Sequence, residues 1–282
     1  MPQKGYNLIS NSRRTTMMYS HYALTDPGLV RTNNEDAFLL DETTGVVVLA
    51  DGMGGYNAGE IASGMATTFI QSEVARWMTQ TGSSATPEKI AQAIEISVFK
   101  TNLSIFQSAS SNPQYAGMGT TLVVGVFHGP VLVLGHVGDS RCYRLRDHKL
   151  LRITKDHSML QEQVDAGLLT AQEASKAPGK NLLTRALGVE ENVQIELHTH
   201  SVCPNDLYLM CSDGLTDMVD DDRIAELLDA GTPLEDTAQA LIRQATQGGG
   251  RDNITVVLTR AHPVPERPGL LSRLLGRAAN HS

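Results

Sequence analysis

Val46-Val47-Val48-Leu49-Ala50-Asp51-Gly52-Met53-Gly54-Gly55 is the stretch on which the fold turns. An unbroken apolar run rich in β-branched valine is a strand in the buried middle of a sheet, since a half-exposed strand would alternate with polar residues. Asp51 leaves that run at the sheet rim, where a carboxylate is costly unless it is paired or bound to a cation. The glycine after it lets the backbone turn sharply and brings a carbonyl close to the same place.

This strand leads into a helix, and that helix into a second helix rather than a second strand. Ile61, Met65, Ile70, Val74, Trp77 and Met78 recur at helical spacing over about 58–79. Thr86-Pro87 then supplies an N-cap and a proline at the first helical position, ahead of Ile90, Ile94, Val98 and Ile105 on one face. On the N-terminal side, 19–25 and 37–40 read as strands, and residues 1–17 as a flexible extension.

Beyond the helices, 120–127, 131–137, 141–145 and 150–153 form an antiparallel meander punctuated by Gly-Pro, Gly-Asp and Asp-His turns. A short helix at 159–166 and a Gly/Ala/Lys/Pro stretch at 177–180 interrupt the rhythm as an inserted surface lobe would. Strands return at 193–200 and 206–211. A helix near 221–228, a second opened by the capping box Thr232-Pro233-Leu234-Glu235, and a strand at 253–259 complete the pattern. Strands in blocks with helices in pairs argue against a doubly wound parallel sheet. They predict an α+β fold in which an antiparallel β-sandwich of two sheets is flanked on both sides by helical layers.

Composition narrows the function. The 282 residues suit one large domain, and 23 Lys+Arg against 31 Asp+Glu give a net charge of −8, which disfavours nucleic acid as a partner. Cys142, Cys203 and Cys211 are odd in number and lack a CxxC pair, so they read as small buried hydrophobes in a reducing, cytoplasmic compartment. The longest apolar runs fall far short of the roughly 18 residues of a membrane span, and the N-terminus lacks the apolar core of a secretion signal.

The excess acid is gathered at strand ends: Arg31-Thr32-Asn33-Asn34-Glu35-Asp36, Asp51-Gly52, Asp213-Gly214-Leu215-Thr216-Asp217 and Arg251-Asp252-Asn253. One Asp-Gly pair is as easily a hairpin turn. Two such pairs after buried strands, joined by a third acidic turn at Asp252, point instead to hard oxygen ligands for Mg²⁺ or Mn²⁺.

These stretches, with Thr25-Asp26-Pro27-Gly28, Gly119-Thr120-Thr121, Gly138-Asp139-Ser140-Arg141, Asp156-His157-Ser158 and Leu183-Thr184-Arg185-Ala186-Leu187-Gly188, occur in an order that resembles the type 2C metal-dependent protein phosphatases in their compact bacterial form. The resemblance covers about 18–261 and implies one phosphatase domain, with a flap subdomain at about 157–182 and a tail at 262–282. It implies hydrolysis of phosphoserine and phosphothreonine in proteins by a hydroxide bridging two Mn²⁺ or Mg²⁺ ions, in a monomer that opposes a serine/threonine kinase.

By matching position, Asp51 would bridge both ions, Asp213 and Asp252 would complete the first, and the Gly52 carbonyl would reach the second. Glu35 and Asp36 would bind or orient that second ion through its waters. Asp139 and Asp217, sharing Asp213, would hold a third, and Arg31 would grip the phosphate with its planar fork. Met53 stands where eukaryotic relatives place a histidine, so the leaving alkoxide lacks that proton donor, and the resemblance favours metal-bound water for the role. His157, the other candidate, is read as fixing the base of the lobe. The Gly179-Lys180 tip would meet a phosphopeptide, and the leucine-patterned 270–277 is read as a frayed terminal helix. Three rival readings remain: an esterase with Ser140 as nucleophile, a phosphate-cradling loop at 52–55, and a catalytically dead relative.

Overall fold

The computed structural model describes residues 17–55, 58–174, 177 and 182–263. The Gly179-Lys180 tip, the stretch at 270–277 and residues 1–16 lie outside them. In chain order the elements are β1 (Met17–Asp26), β2 (Asp36–Asp41), β3 (Val46–Met53), α1 (Ala58–Thr81), α2 (Pro87–Ser111), β4 (Gly119–Thr120), β5 (Leu122–His128), β6 (Val131–Val137), β7 (Arg141–Arg146), β8 (Lys149–Arg152), α3 (Met159–Asp165), α4 (Ala171–Ala174), β9 (Glu196–Ser201), β10 (Leu207–Cys211), α5 (Asp213–Thr216), α6 (Asp221–Asp229), α7 (Leu234–Gln247) and β11 (Ile254–Pro263).

Two antiparallel sheets result, one in the order β1-β11-β10-β7-β8 and the other β2-β3-β5-β6-β9, with β4 on the end of β3. The run at 46–50 explains how they stack. Val46, Val48 and Ala50 pack against α1 and α2, while Val47 and Leu49 meet Cys142, Tyr208, Met210 and Val257 between the sheets. A strand with helices on one face and a sheet on the other has no solvent face, so every position is apolar. On the far side Leu209, Cys211, Val256 and Leu258 bury α6 and α7. Three apolar layers therefore separate four layers of structure, α-β-β-α as the periodicity predicts. Among the described residues no helix is long and apolar enough to cross a membrane.

Most elements start where their signals place them. Thr86 caps α2 by accepting from the Lys89 N–H, and Ser158 caps α3 by accepting from the Gln161 N–H. Among the boundaries that differ, three have a clear physical reason. The sequence puts Met17 in the extension, but it pairs with Pro263 and is buried between the sheets, so β1 and β11 extend each other by lateral pairing. The capping box before α7 does not form: Pro233 is the N-cap, and the Thr232 hydroxyl bonds to that of Thr237, 2.8 Å away. The strand expected from 193 begins at Glu196, where its ladder with β6 starts opposite His136, one residue from the end of that strand.

The inserted lobe has a laced base. Met159 N–H donates to Leu182 O, Thr184 N–H donates to His157 O, and Ser158 bridges Leu183, so both ends of the lobe leave the body at one point.

A candidate metal centre at the rim of the sandwich

Asp51 and Asp36 lie opposite each other in the β2–β3 ladder, which places their carboxyls side by side, with Asp36 buried. One oxygen of Asp36 accepts from Ser212 Oγ (2.7 Å) and Thr255 Oγ1 (2.6 Å). These contacts tie it to the other sheet. Its remaining oxygen, Oδ1, is buried and receives no hydrogen bond from a donor. Asp213 opens α5 directly after β10, and Asp252 stands in the turn before β11.

The glycines after Asp51 and Asp213 work differently from the expected turns. Gly52 continues β3, paired with Thr120, and neither it nor Gly214 has a positive φ. Each is needed because backbone passes too close for a side chain: a Cβ on Gly52 would collide with the Gly59 carbonyl, and one on Gly214 with the Asn253 carbonyl. The strands thereby bring their aspartates within reach of one another. Gly214→Ala must displace backbone, so it should cost about 1–3 kcal/mol, read as a lower denaturation midpoint. Gly64→Ala on α1, where a Cβ meets nothing within 4 Å, should be neutral or stabilising and serves as the control.

Asn253 assembles the loops. Its amide donates to Pro27 O (3.1 Å) and Asn33 O (2.9 Å), and its Oδ1 accepts from Glu35 N–H (2.8 Å). Thr121 does the same for β3, its hydroxyl accepting from Asp51 N–H (3.0 Å) and pairing with Ser140 Oγ (2.7 Å). The sequence presents both residues only as parts of stretches, because their partners lie up to 226 residues away.

A cavity of about 210 Å³ lies at this rim, lined by Asp51, Asp139, Asp213, Asp252, Glu35 and Arg31, among others. Gly52, Met53 and Leu183 also border it. Asp36 lies behind Asp51, outside this lining. Asp217 borders an adjoining cleft that shares Asp139 and Asp213, so the three aspartates expected to hold a third ion sit where the two spaces meet.

The electrostatics are those of a site built for cations. Burial, then repulsion by Asp36, Asp213, Asp139 and Asp252, raises the Asp51 pKa well above the usual carboxylate range. Asp213 is raised in the same way by burial and then by Asp139, Asp217 and Asp252. Burial lifts Asp36 to about 6, and burial with Asp156 lifts Asp139 to about 7. The cationic side chain lining the cavity is Arg31, half exposed and bonded to Asp252 at 2.7 Å rather than to Glu35. Converging hard oxygens, one of them buried without a donor, fit divalent ions such as Mg²⁺ or Mn²⁺.

Other candidates lie elsewhere or are spent. His157 accepts from Gly138 N–H at Nδ1 (3.1 Å), so its Nε2 carries the proton and faces Glu196 (3.2 Å). Its ring stacks on His136, 4.7 Å away, and it does not line the carboxylate cavity. Ser140 is 1 % exposed with its hydroxyl on Thr121, which leaves no accessible nucleophile for an esterase. Gly52 and Met53 pair in a ladder instead of cradling phosphate.

An antiparallel sandwich with a rim of mutually repelling carboxylates defines a divalent-metal protein. The sequence profile of the protein phosphatase 2C family matches residues 30–248. The chain belongs to that family and is a metal-dependent protein phosphatase. It is 38 % identical over 237 residues to the serine/threonine phosphatase stp of Listeria monocytogenes, covering 83 % of this chain and 92 % of that one. The crystal structure of the Mycobacterium tuberculosis serine/threonine phosphatase PstP/Ppp superposes with a TM-score of 0.78 at 38 % identity, over 86 % of this chain and 98 % of that one. A structure of the PstP catalytic domain in complex with two manganese ions has a TM-score of 0.75 at 38 % identity, over 88 % of this chain and all of that one.

Proposed function

We propose that the chain hydrolyses phosphoserine and phosphothreonine in proteins at a binuclear Mn²⁺ or Mg²⁺ site, opposing a bacterial serine/threonine kinase. The observation that carries this is the meeting of Asp51, Asp213, Asp252 and Glu35 with Arg31 in one cavity. The manganese-bound relative of the same fold supports the choice of ion.

In this reading Asp51, Asp213 and Asp252 would hold one ion, and Asp51 with Gly52, Glu35 and Asp36 would hold a second. Asp139 and Asp217, with Asp213, would hold a third. The ions, when bound, would activate the attacking water and offset charge building on the phosphoryl oxygens. The residues of the chain orient and bind. Ser212 and Thr255 hold Asp36 by two hydrogen bonds, fixing its free oxygen beside Asp51. Arg31 is held by Asp252 and is exposed enough to turn onto an incoming phosphate without repacking. Met53 offers no proton to the leaving alkoxide, so that proton comes from water. The working unit is residues 18–261 extended to the ends of β1 and β11, acting as a cytoplasmic monomer.

The test is hydrolysis of p-nitrophenyl phosphate and of a phosphothreonine peptide by chelator-stripped protein. Turnover should be absent in EDTA and return with Mn²⁺ or Mg²⁺, whereas turnover that persists in EDTA would overturn the proposal.

A further inference from the structure

The carboxylate cavity does not stop at Met53. Met53 and Leu183 also wall a second hollow of about 430 Å³ that leads away from the acidic site along residues 184–194. Its lining changes character: Met53, Leu183, Ala186, Val189 and Val193 present apolar surface beside the uncharged polar Thr184, Asn192 and Gln194, and none of the clustered carboxylates reaches it. Arg185 and Glu190 add one charge of each sign. Met53 and Val189 meet over Gly119: a Cβ there would stand 2.8 Å from Met53 Cε and 2.9 Å from Val189 Cγ2. The side chain at the edge of the acidic cavity is thus continuous with the apolar wall.

That wall is pinned along its length. Leu187 and Thr120 exchange both backbone hydrogen bonds, at 2.8 and 3.0 Å. Asn102 on α2, 0 % exposed, donates to the carbonyls of Glu190 and Glu191 and accepts from Gly188 N–H. A buried amide with three bonds to one surface turn holds Val189 in position although that side chain is 52 % exposed. An apolar residue fixed in the open, with its ordering cost already met by the fold, is a preorganised contact.

We infer that this hollow binds an apolar side chain of the substrate polypeptide, two residues from the phosphorylated one. Alternate side chains of an extended chain face the same way, about 7 Å apart, which suits two adjoining spaces with shared walls. The balanced charge at the rim favours neither acidic nor basic occupants. The inference rests on the protein phosphatase reading above and names a preference within it.

It is tested with phosphothreonine peptides that carry Leu, Ala or Asp two residues before or after the phosphoresidue, alongside p-nitrophenyl phosphate, which reads the metal site alone. On one side of the phosphoresidue the Leu peptide should exceed the Ala peptide by about tenfold in kcat/KM, the low end for a group filling an open apolar site. Val189→Asp, at an exposed position, should lower the ratio of Leu-peptide to p-nitrophenyl phosphate kcat/KM by the same factor and level the peptides. Equal turnover of all peptides while p-nitrophenyl phosphate is hydrolysed would overturn the inference, as would a Leu preference that survives Val189→Asp. Failure of Mn²⁺ to support p-nitrophenyl phosphate hydrolysis would remove the phosphatase reading and this inference with it.

Discussion

Asp213→Asn should lower kcat on a phosphothreonine peptide by about a thousandfold or more. Asp213 lines both the main cavity and the adjoining cleft, and among the charges that raise its pKa are Asp139, Asp217 and Asp252. Replacing it with an amide removes one negative ligand from the first proposed ion and from the third, without changing shape. Charge stabilisation by a bound cation is worth several kcal/mol, and each 1.36 kcal/mol is tenfold in rate. Unfolding is not the cause, because burial and neighbouring carboxylates already disfavour the charged form of Asp213. The variant should therefore melt in EDTA at or above the wild-type temperature. A kcat within tenfold of wild type would remove Asp213 from the metal site.

The second large effect is on stability. Without metal, the raised pKa values of Asp51, Asp213 and Asp139 mean that the folded chain holds protons the unfolded chain would release. A group with a raised folded pKa contributes stability at low pH that is lost as pH rises through that pKa. The metal-free protein should therefore melt at progressively lower temperature as pH rises from about 4, the ordinary carboxylate range, towards the value of about 7 for Asp139, above which that group's contribution is fully lost. His21, His136 and His157 are shifted down from 6.5 by burial and act in the opposite direction below 6.5, where they offset part of this slope. Mn²⁺ should remove the slope by replacing protons with a cation.

At a free concentration of about 100 times its dissociation constant, one bound ion adds roughly 2.7 kcal/mol. For a domain of this size that corresponds to a rise of about 5–10 °C. Differential scanning fluorimetry in EDTA and in Mn²⁺ across this pH range reads both effects. A flat EDTA profile together with no shift on adding Mn²⁺ would show that the carboxylates do not form a cation site.

Much of the fold was legible because it is written in local periodicity. The run at 46–50 has no polar break because helices cover one face and a sheet the other. Thr86 was legible as a cap because a cap acts within three residues. The box at Thr232 failed because its hydroxyl found Thr237 instead, a choice between local partners that the sequence leaves even. The strand expected at 193 starts only at Glu196, where β6, about sixty residues earlier in the chain, comes alongside to pair with it.

For the site, the sequence by itself determined which carboxylates end buried strands: Asp51 after 46–50 and Asp213 after 207–211. It could say this because the apolar run and the acid are neighbours in the chain. Tertiary structure alone decided how they meet. The ladder sets Asp36 against Asp51, Ser212 and Thr255 grip Asp36 from the other sheet, and Asp252 holds Arg31. Even the glycines changed meaning, since Gly52 and Gly214 are required by passing backbone and not by a turn. Contacts between segments about 200 residues apart depend on how whole sheets stack, and sequence periodicity, which reports only a residue's own helix or strand, carries no record of that.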